Sequence, residues 1–316
     1  MPINAEIEAR RQAEQDRLDR LKVSDERNRL GQFATPPALA LDIVKYVSKL
    51  REGRSESVSF LEPALGTGSF YSALRRVFPS ETITEAVGIE IDPAVAGVAS
   101  ALWKKTGLTV IEADFTRLEP DRRFNLILTN PPYVRHHHLI REDKGRLQSL
   151  IGRRLRIDIS GLAGLYCHFL LLCDAWMEDG GHAAWLIPSE FMDVNYGTAV
   201  KEYLTERVRL LRIHRYCPSD AQFGDALVTS AIVVFEKTAP SDSLRVSISF
   251  GGSISSPSAS EDVPLQILRD SRKWTPYPSH GTKTESHGAT LGDFFTIKRG
   301  LATGANSFFI LERQEA

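Results

Sequence analysis

The tetrapeptide Asn130-Pro131-Pro132-Tyr133 carries a set of groups suited to gripping a planar amino group. Its two prolines remove backbone N–H donors and stiffen the turn, leaving main-chain carbonyls free to face a substrate. Asn130 offers a side-chain carbonyl and Pro131 a main-chain one. Two acceptors converging on one –NH2 hold both of its hydrogens. They also aim its lone pair, weakly nucleophilic through conjugation, at an electrophilic methyl group. Tyr133 supplies a flat face for a planar substrate. The competing reading is a plain structural turn, and the surrounding strand order weighs against it.

Upstream, acidic residues stand where three successive apolar runs end. The first run closes in Glu62-Pro63-Ala64-Leu65-Gly66-Thr67-Gly68-Ser69 and passes directly into a helical pattern. Two glycines there let a ligand lie against the backbone at the carboxyl edge of a sheet. Tyr71 stands where the third glycine of a dinucleotide fingerprint would be, which disfavours a nicotinamide reading. The second run ends in Glu90-Ile91-Asp92-Pro93. Glu90 is placed to accept from both ribose hydroxyls of an adenosine, whereas Asp92, before a proline, reads as a helix cap. The third ends in Asp114-Phe115, an acceptor for an adenine amino group beside a ring to pack on it. Together Glu62, Glu90 and Asp114 suit a cationic, adenosine-bearing ligand.

Short apolar runs at 58–61, 86–89, 108–111, 124–128 and 183–187 alternate with helical patterns at 69–78, 93–105 and 161–176. That rhythm predicts an α/β, Rossmann-like, doubly wound and mostly parallel sheet. Two further runs, 208–216 and 227–236, complete seven strands and form an antiparallel edge hairpin. Residues 4–28 read as a solvated helix or arm. Pro36 opens an apolar helix over 38–50, with Thr35 as its N-cap. Composition turns rich in Ser, Gly and Pro at Lys237, with one strand-like run at 244–250. The expected organisation is an arm over 1–29, a catalytic domain over 30–237, and a linker with a small C-terminal appendage over 238–316.

A net charge of −1 gives no global pull toward nucleic acid, so any such contact must be local. Two basic clusters are candidates: residues 141–156, and Arg207, Arg209, Arg212, His214 and Arg215. Each also reads as a solvated face. Cys167, Cys173 and Cys217 fit reduced thiols, and no apolar run is clean enough to span a bilayer, so the expected location is cytoplasmic. Three consecutive histidines, His136 to His138, cannot easily converge on one ion, so no metal is expected and they read as a substrate-edge loop. Tyr166, Phe169, Leu170, Cys173 and Trp176 recur at helical spacing and read as core. Gly180-Gly181 reads as a helix stop.

The ordered motifs make the chain similar to class I S-adenosylmethionine-dependent methyltransferases. More narrowly, it resembles the gamma group of DNA amino-methyltransferases, the TaqI-like enzymes. Gln32-Phe33-Ala34-Thr35-Pro36 matches that group's N-terminal motif, which holds the methionine end of the cofactor. Glu62, Ala64, Gly66 and Gly68 match its glycine loop, Glu90-Ile91 its ribose site, Asp114-Phe115 its adenine pocket, and Asn130 to Tyr133 its catalytic tetrapeptide. The resemblance spans residues 30–237. It implies methyl transfer from S-adenosyl-L-methionine to adenine N6 in duplex DNA, with the base flipped out and stacked on Tyr133 and on a second ring, Phe223. It also implies a restriction or specificity subunit as a possible partner. Enzymes that methylate a glutamine amide or RNA, an inactive DNA-binding subunit, and transfer to cytosine N4 are the alternatives. Residues 291–304 resemble the start of a target-recognition region, from which weak or non-specific DNA binding by this chain alone is expected.

Overall fold

The run Val58–Glu62 (β1) is apolar on both faces and almost wholly buried, as a strand inside a helix-covered parallel sheet must be. In a computed structural model that describes residues 5–22, 30–53, 57–217, 229–279 and 291–296, it lies near the middle of one sheet. Helix α1 (Ala5–Leu21) and α2 (Pro37–Leu50) precede it. After β1 come α3 (Ser69–Val77), β2 (Ile83–Glu90), α4 (Pro93–Trp103), β3 (Leu108–Glu112) and β4 (Phe124–Thr129). Then follow α5 (Arg141–Leu155), α6 (Leu165–Leu172), β5 (Met177–Pro188) and α7 (Thr198–Glu206). The order closes with β6 (Arg209–Arg215), β7 (Ser230–Glu236), β8 (Arg245–Gly252), β9 (Pro257–Pro264) and α8 (Leu265–Asp270).

The strands run β3-β2-β1-β4-β5-β7-β6-β8-β9. Strands β3 to β5 are mutually parallel, with Glu62 opposite Gly88, Glu90 opposite Glu112, and Thr129 opposite Trp185. Chain order reverses between β1 and β4, the switch point at which open α/β sheets bind ligands beyond their carboxyl ends. One apolar layer packs α2, α3 and α4 on one face, and a larger one packs α6 and α7 on the other. This is the doubly wound α/β fold expected from the alternating runs.

Several details differ from the expectation. Among the described residues the sheet has nine strands, because the composition shift at Lys237 does not end it. Strand β8 pairs in parallel with β6, β9 pairs antiparallel with β8, and Trp274 is fully buried. The β6–β7 pair is antiparallel as expected but is interior, with β7 inserted between β5 and β6. Gly180-Gly181 lies within β5, where Gly180 takes φ +77° and its N–H donates to the Lys237 carbonyl at 2.7 Å. A left-handed residue in a strand accommodates a bulge, and glycine alone adopts it cheaply. Residues 1–280 form one compact unit and 281–316 another, in which only residues 291–296 are described, including α9 (Leu291–Phe294). Most of the 291–304 resemblance therefore lies outside the described residues. Among the described residues, no helix is long and apolar enough to cross a membrane.

Candidate active site

The carboxyl ends of β1, β2 and β4 bring the first group of motif residues to one rim. Glu62 is buried, and burial pushes its carboxyl well above the usual carboxylate range. The backbone N–H groups of Tyr71 and Phe70 and the charge of Arg11 oppose that shift. Its Oε2 is buried with no hydrogen-bond partner among the described residues. Glu90 accepts from the Gly66 N–H at 2.8 Å through one oxygen and from the Asp92 N–H at 2.9 Å through the other, so β2 holds the glycine loop directly. Burial raises the carboxyl of Glu90 as well. Asp92 caps α4 by accepting from Ala94 N at 3.0 Å.

Gly66 and Gly68 sit at φ +55° and +88°. A Cβ on Gly66 would meet no atom within 4 Å, so the loop leaves an open cradle beside the sheet. A Cβ on Gly68 would strike the Trp103 ring at 2.6 Å, so this glycine is required for packing. Ile91 is 63% exposed beside Glu90, an apolar surface suited to a flat ring. Asp114 instead caps a short turn, accepting from the Thr116 N–H at 2.9 Å and pairing with Arg117 at 3.2 Å. The Phe115 ring is buried against Phe169 and Trp176, at 5.0 and 5.7 Å. An unpartnered buried carboxylate oxygen, an acidic strand tip and an open glycine cradle fit a cationic, adenosine-bearing cofactor. The Asp114 carboxylate and the Phe115 ring are instead engaged in the contacts just described.

The Asn130 side chain is held by the N-terminal motif. Its Nδ2 donates to the Phe33 carbonyl at 2.8 Å and to the Thr35 hydroxyl at 3.2 Å. A carbonyl only accepts, so it fixes which end of the amide faces it. Asn130 Oδ1 is left buried and without a partner among the described residues, where buried acceptors are seldom left unpaired. Thr35 is thus not the cap of α2, whose N-cap is Pro36 with no side-chain bond. Its hydroxyl accepts from Asn130, and its carbonyl accepts from Ser69 Oγ at 2.8 Å.

Gly31, at φ +62°, accepts from the Tyr133 N–H at 3.0 Å, and any Cβ there would overlap the Tyr133 backbone. The Tyr133 hydroxyl donates to the Leu186 carbonyl at 3.1 Å, and its ring stands 5.6 Å from Phe33. Beside it opens a cavity of about 260 Å³, smaller than the usual drug-sized pocket. Tyr133, Tyr166, Tyr196, Pro188 and Leu162 give it apolar walls, with Glu190, Arg135, His136 and His137 as polar groups.

Phe223 lies outside the described residues, as does the loop around it. Of its described neighbours, Thr229 lies beside the cavity. Thr229 O accepts from the Ser189 N–H at 2.8 Å, next to the lining residues Pro188 and Glu190. Gln32 accepts from Lys22 Nζ at 2.8 Å. Among the described residues no cluster of three or more His, Cys, Asp or Glu is arranged to hold a metal ion.

Two features escaped the sequence reading. Helix α1 is not a solvated arm. Arg11 is only 2% exposed and donates to Thr67 Oγ1 in the glycine loop at 3.0 Å, while pairing with Glu8 at 2.7 Å. Glu8 accepts from Ser72, Gln15 from Thr67, and Lys22 pairs with Asp92 at 2.5 Å. The polar composition of α1 hid this, because its seat is polar too. The second feature is the use of the basic clusters. In the one on β6, Arg209 pairs with Glu236, Arg212 donates to Ser249, and Arg215 donates to the Thr275 and Tyr277 carbonyls. In the α5 cluster, Arg146 and Arg154 are likewise held, by Thr116 and Glu119. Arg135, at the mouth of the cavity, is exposed.

Residues 90–223 match the Eco57I restriction-modification methylase family. The chain is 27% identical over 289 residues to the Type II methyltransferase M.XamI of Xanthomonas campestris pv. amaranthicola, across 89% of this chain and 53% of that one. It is 23% identical over 310 residues to M.AccI of Acinetobacter calcoaceticus, across 92% of this chain and 55% of the other. The chain thus spans about half the length of these curated relatives. Among solved structures, it superposes on the type I restriction-modification methyltransferase subunit of Streptococcus thermophilus. The TM-score is 0.56 at 17% identity, over 69% of this chain and 47% of that one. A Listeria monocytogenes chain assigned to the class I S-adenosylmethionine-dependent methyltransferases superposes with a TM-score of 0.60 at 15% identity, over 83% and 77%. At those identities the superpositions show a shared fold and nothing further.

Proposed function

We propose that this chain is the catalytic portion of a restriction-modification DNA methyltransferase, moving a methyl group from S-adenosylmethionine to the exocyclic N6 of an adenine turned out of the duplex. One observation carries the reading. Phe33 and Thr35 occupy the donor end of the Asn130 amide and leave its oxygen buried and unpaired among the described residues, three positions before Tyr133, which lines a cavity of about 260 Å³. The match to restriction-modification methylases over 90–223 supports DNA as the acceptor.

S-adenosylmethionine, when bound, supplies an electrophilic methyl group on a sulfonium centre. Glu62, Glu90, Ile91 and the Gly66 to Gly68 loop are the residues that would hold it, with Gln32, Phe33, Thr35 and Pro36 closing the methionine end. Asn130 Oδ1 and the Pro131 carbonyl accept the two hydrogens of the substrate amino group. That orientation converts a bimolecular encounter into a near-attack arrangement. The amine sheds its proton as or after it becomes cationic, so Asn130 and Pro131 need only accept hydrogen bonds.

The Tyr133 ring is pinned at its hydroxyl by Leu186 and at its backbone by Gly31, so it offers a stiff stacking face. Phe223 is the proposed second ring. Stacking offsets the few kcal/mol that base extrusion costs. Asp114 and Phe115 are proposed to bound the adenine end of the cofactor. A specificity or restriction subunit is the partner class this reading implies.

The discriminating experiment offers radiolabelled cofactor to duplex DNA, to structured RNA and to glutamine-bearing protein, then digests the acceptor. Label recovered as N6-methyladenine from DNA is the expected result. Label confined to RNA, to protein or to N4-methylcytosine overturns it.

A further inference from the structure

Helix α1 reaches the cofactor cradle at two places, one near its middle and one just past its end. Near the middle, Arg11 Nη1 donates to Thr67 Oγ1 at 3.0 Å, and the same hydroxyl donates to Gln15 Oε1 at 2.8 Å. Thr67 stands between Gly66 and Gly68, both at positive φ and neither with a side chain to anchor it. Its hydroxyl is therefore the side-chain handle of the loop, and α1 fills both its accepting and its donating role. Glu8 extends the hold to the next turn, pairing with Arg11 at 2.7 Å and accepting from Ser72 on α3. Just past the helix, Lys22 Nζ donates to Gln32 Oε1 at 2.8 Å and to Asp92 Oδ2 at 2.5 Å. The Asp92 N–H donates in turn to Glu90, whose other oxygen holds Gly66. One helix and the residue after it thus grip the glycine loop, the tip of β2 and the N-terminal motif, three segments far apart in sequence.

Among the described residues, little apolar contact adds to this hold. Leu18 is buried and Ile7 partly so, while Leu21 is 68% exposed. With so little apolar surface removed from water, the polar bonds decide whether α1 is docked. The glycine loop has the converse need, since two glycines give an unanchored loop many conformations. A cradle in its binding conformation only part of the time binds more weakly by that fraction. Whatever fixes the loop strengthens cofactor binding, and by linkage the bound cofactor strengthens the docking of α1. We propose that Arg11 and Lys22 are positioning residues for the cofactor, making α1 a strap whose docking and the binding of S-adenosylmethionine reinforce each other. This rests on the reading of the glycine loop as the cofactor cradle.

The test measures S-adenosylmethionine binding by calorimetry for wild type, Arg11→Gln and Lys22→Met, and hydrogen exchange of α1 with and without the cofactor. Lys22→Met leaves Asp92 its bond to Ala94, so that end of the strap is cut without uncapping α4. Each variant should bind the cofactor about 5- to 50-fold more weakly, the ordinary strength of coupling between two sites. KM for the cofactor should rise by more than kcat falls. In wild type the cofactor should slow exchange across residues 8–21, and in the variants it should slow it less. Wild-type affinity in either variant overturns the assignment, and a lowered melting temperature beside it would give that residue a purely structural role. Exchange in wild-type α1 that the cofactor leaves unchanged overturns it too. A wild-type chain that binds no S-adenosylmethionine removes the cradle reading itself, a separate and distinguishable failure.

Discussion

Glu62 and Asn130 each keep one oxygen buried and unpaired, and the two lie at the tips of β1 and β4, on either side of the sheet's switch point. Asn130 Oδ1 is aimed by its own amide nitrogen, so its role follows from three groups read together: Phe33 O, Thr35 Oγ1 and the orphaned oxygen. Glu62 is a carboxylate forced toward its neutral form by burial. A cationic ligand reverses that bias. Because the folded state holds the proton of Glu62 more tightly than the unfolded chain, this group favours folding at acid pH and loses that advantage as pH rises. Cofactor binding runs the opposite way, since only the ionised carboxylate attracts a cation. Cofactor affinity measured by calorimetry should therefore weaken as pH falls through the raised range of Glu62. Glu62→Gln should flatten that dependence and weaken binding at neutral pH. A variant with wild-type affinity and the same pH profile would remove Glu62 from the cofactor site.

Helix α1 shows how an element can be legible as a helix and illegible as a partner. Its Glu, Arg and Gln pattern predicts a helix with a solvated surface, and the helix is present. What polarity could not reveal is that Arg11 is buried between Glu8 and Thr67, so a polar helix seats on a polar loop. Arg11→Ala removes the cation that Glu8 and Thr67 share and should cost about 3 kcal/mol, as breaking a largely buried pair does. Urea unfolding would show it as a lower midpoint at unchanged slope. An unchanged midpoint would mean that α1 does not rest on the glycine loop in solution. The strand-like run at 244–250 is present as β8, but strand β9 was obscured differently. Ser, Gly and Pro mark loops in most chains, yet β9 is an edge strand with alternating exposed positions, where proline is tolerated and little apolar pattern is needed.

At the scale of the whole molecule, the parallel half of the sheet was legible because each strand is an apolar run ending in a motif, while the antiparallel half carries no such punctuation. Two histidines couple that framework to pH. His168 on α6 is pushed down to about 4 by burial, with Arg146 adding to the shift against the Gly164 carbonyl. His214 on β6 is likewise pushed down to about 4 by burial and by Arg212, opposed by Gly252 and Asp42. The unfolded chain protonates both near their ordinary value of about 6.5. Between about 6.5 and 4 the unfolded state thus binds more protons, and stability falls as the solution is acidified. The effect is on the order of 3 kcal/mol per ring at full development. Chemical denaturation at pH 7 and pH 5 should show this loss, and His168→Gln with His214→Gln should reduce it. Equal midpoints at the two pH values would contradict the burial of these rings.

Single-turnover methyl transfer to duplex DNA, with wild type and Asn130→Ala each preloaded with cofactor, probes the amino-group clamp most directly. Removing the oriented oxygen should slow the chemical step by about 10²–10³-fold, the loss typical of one preorganised polar group at a reacting centre, with cofactor Kd unchanged. A rate within a few-fold of wild type would show that the Asn130 oxygen does not hold the amino group that is methylated.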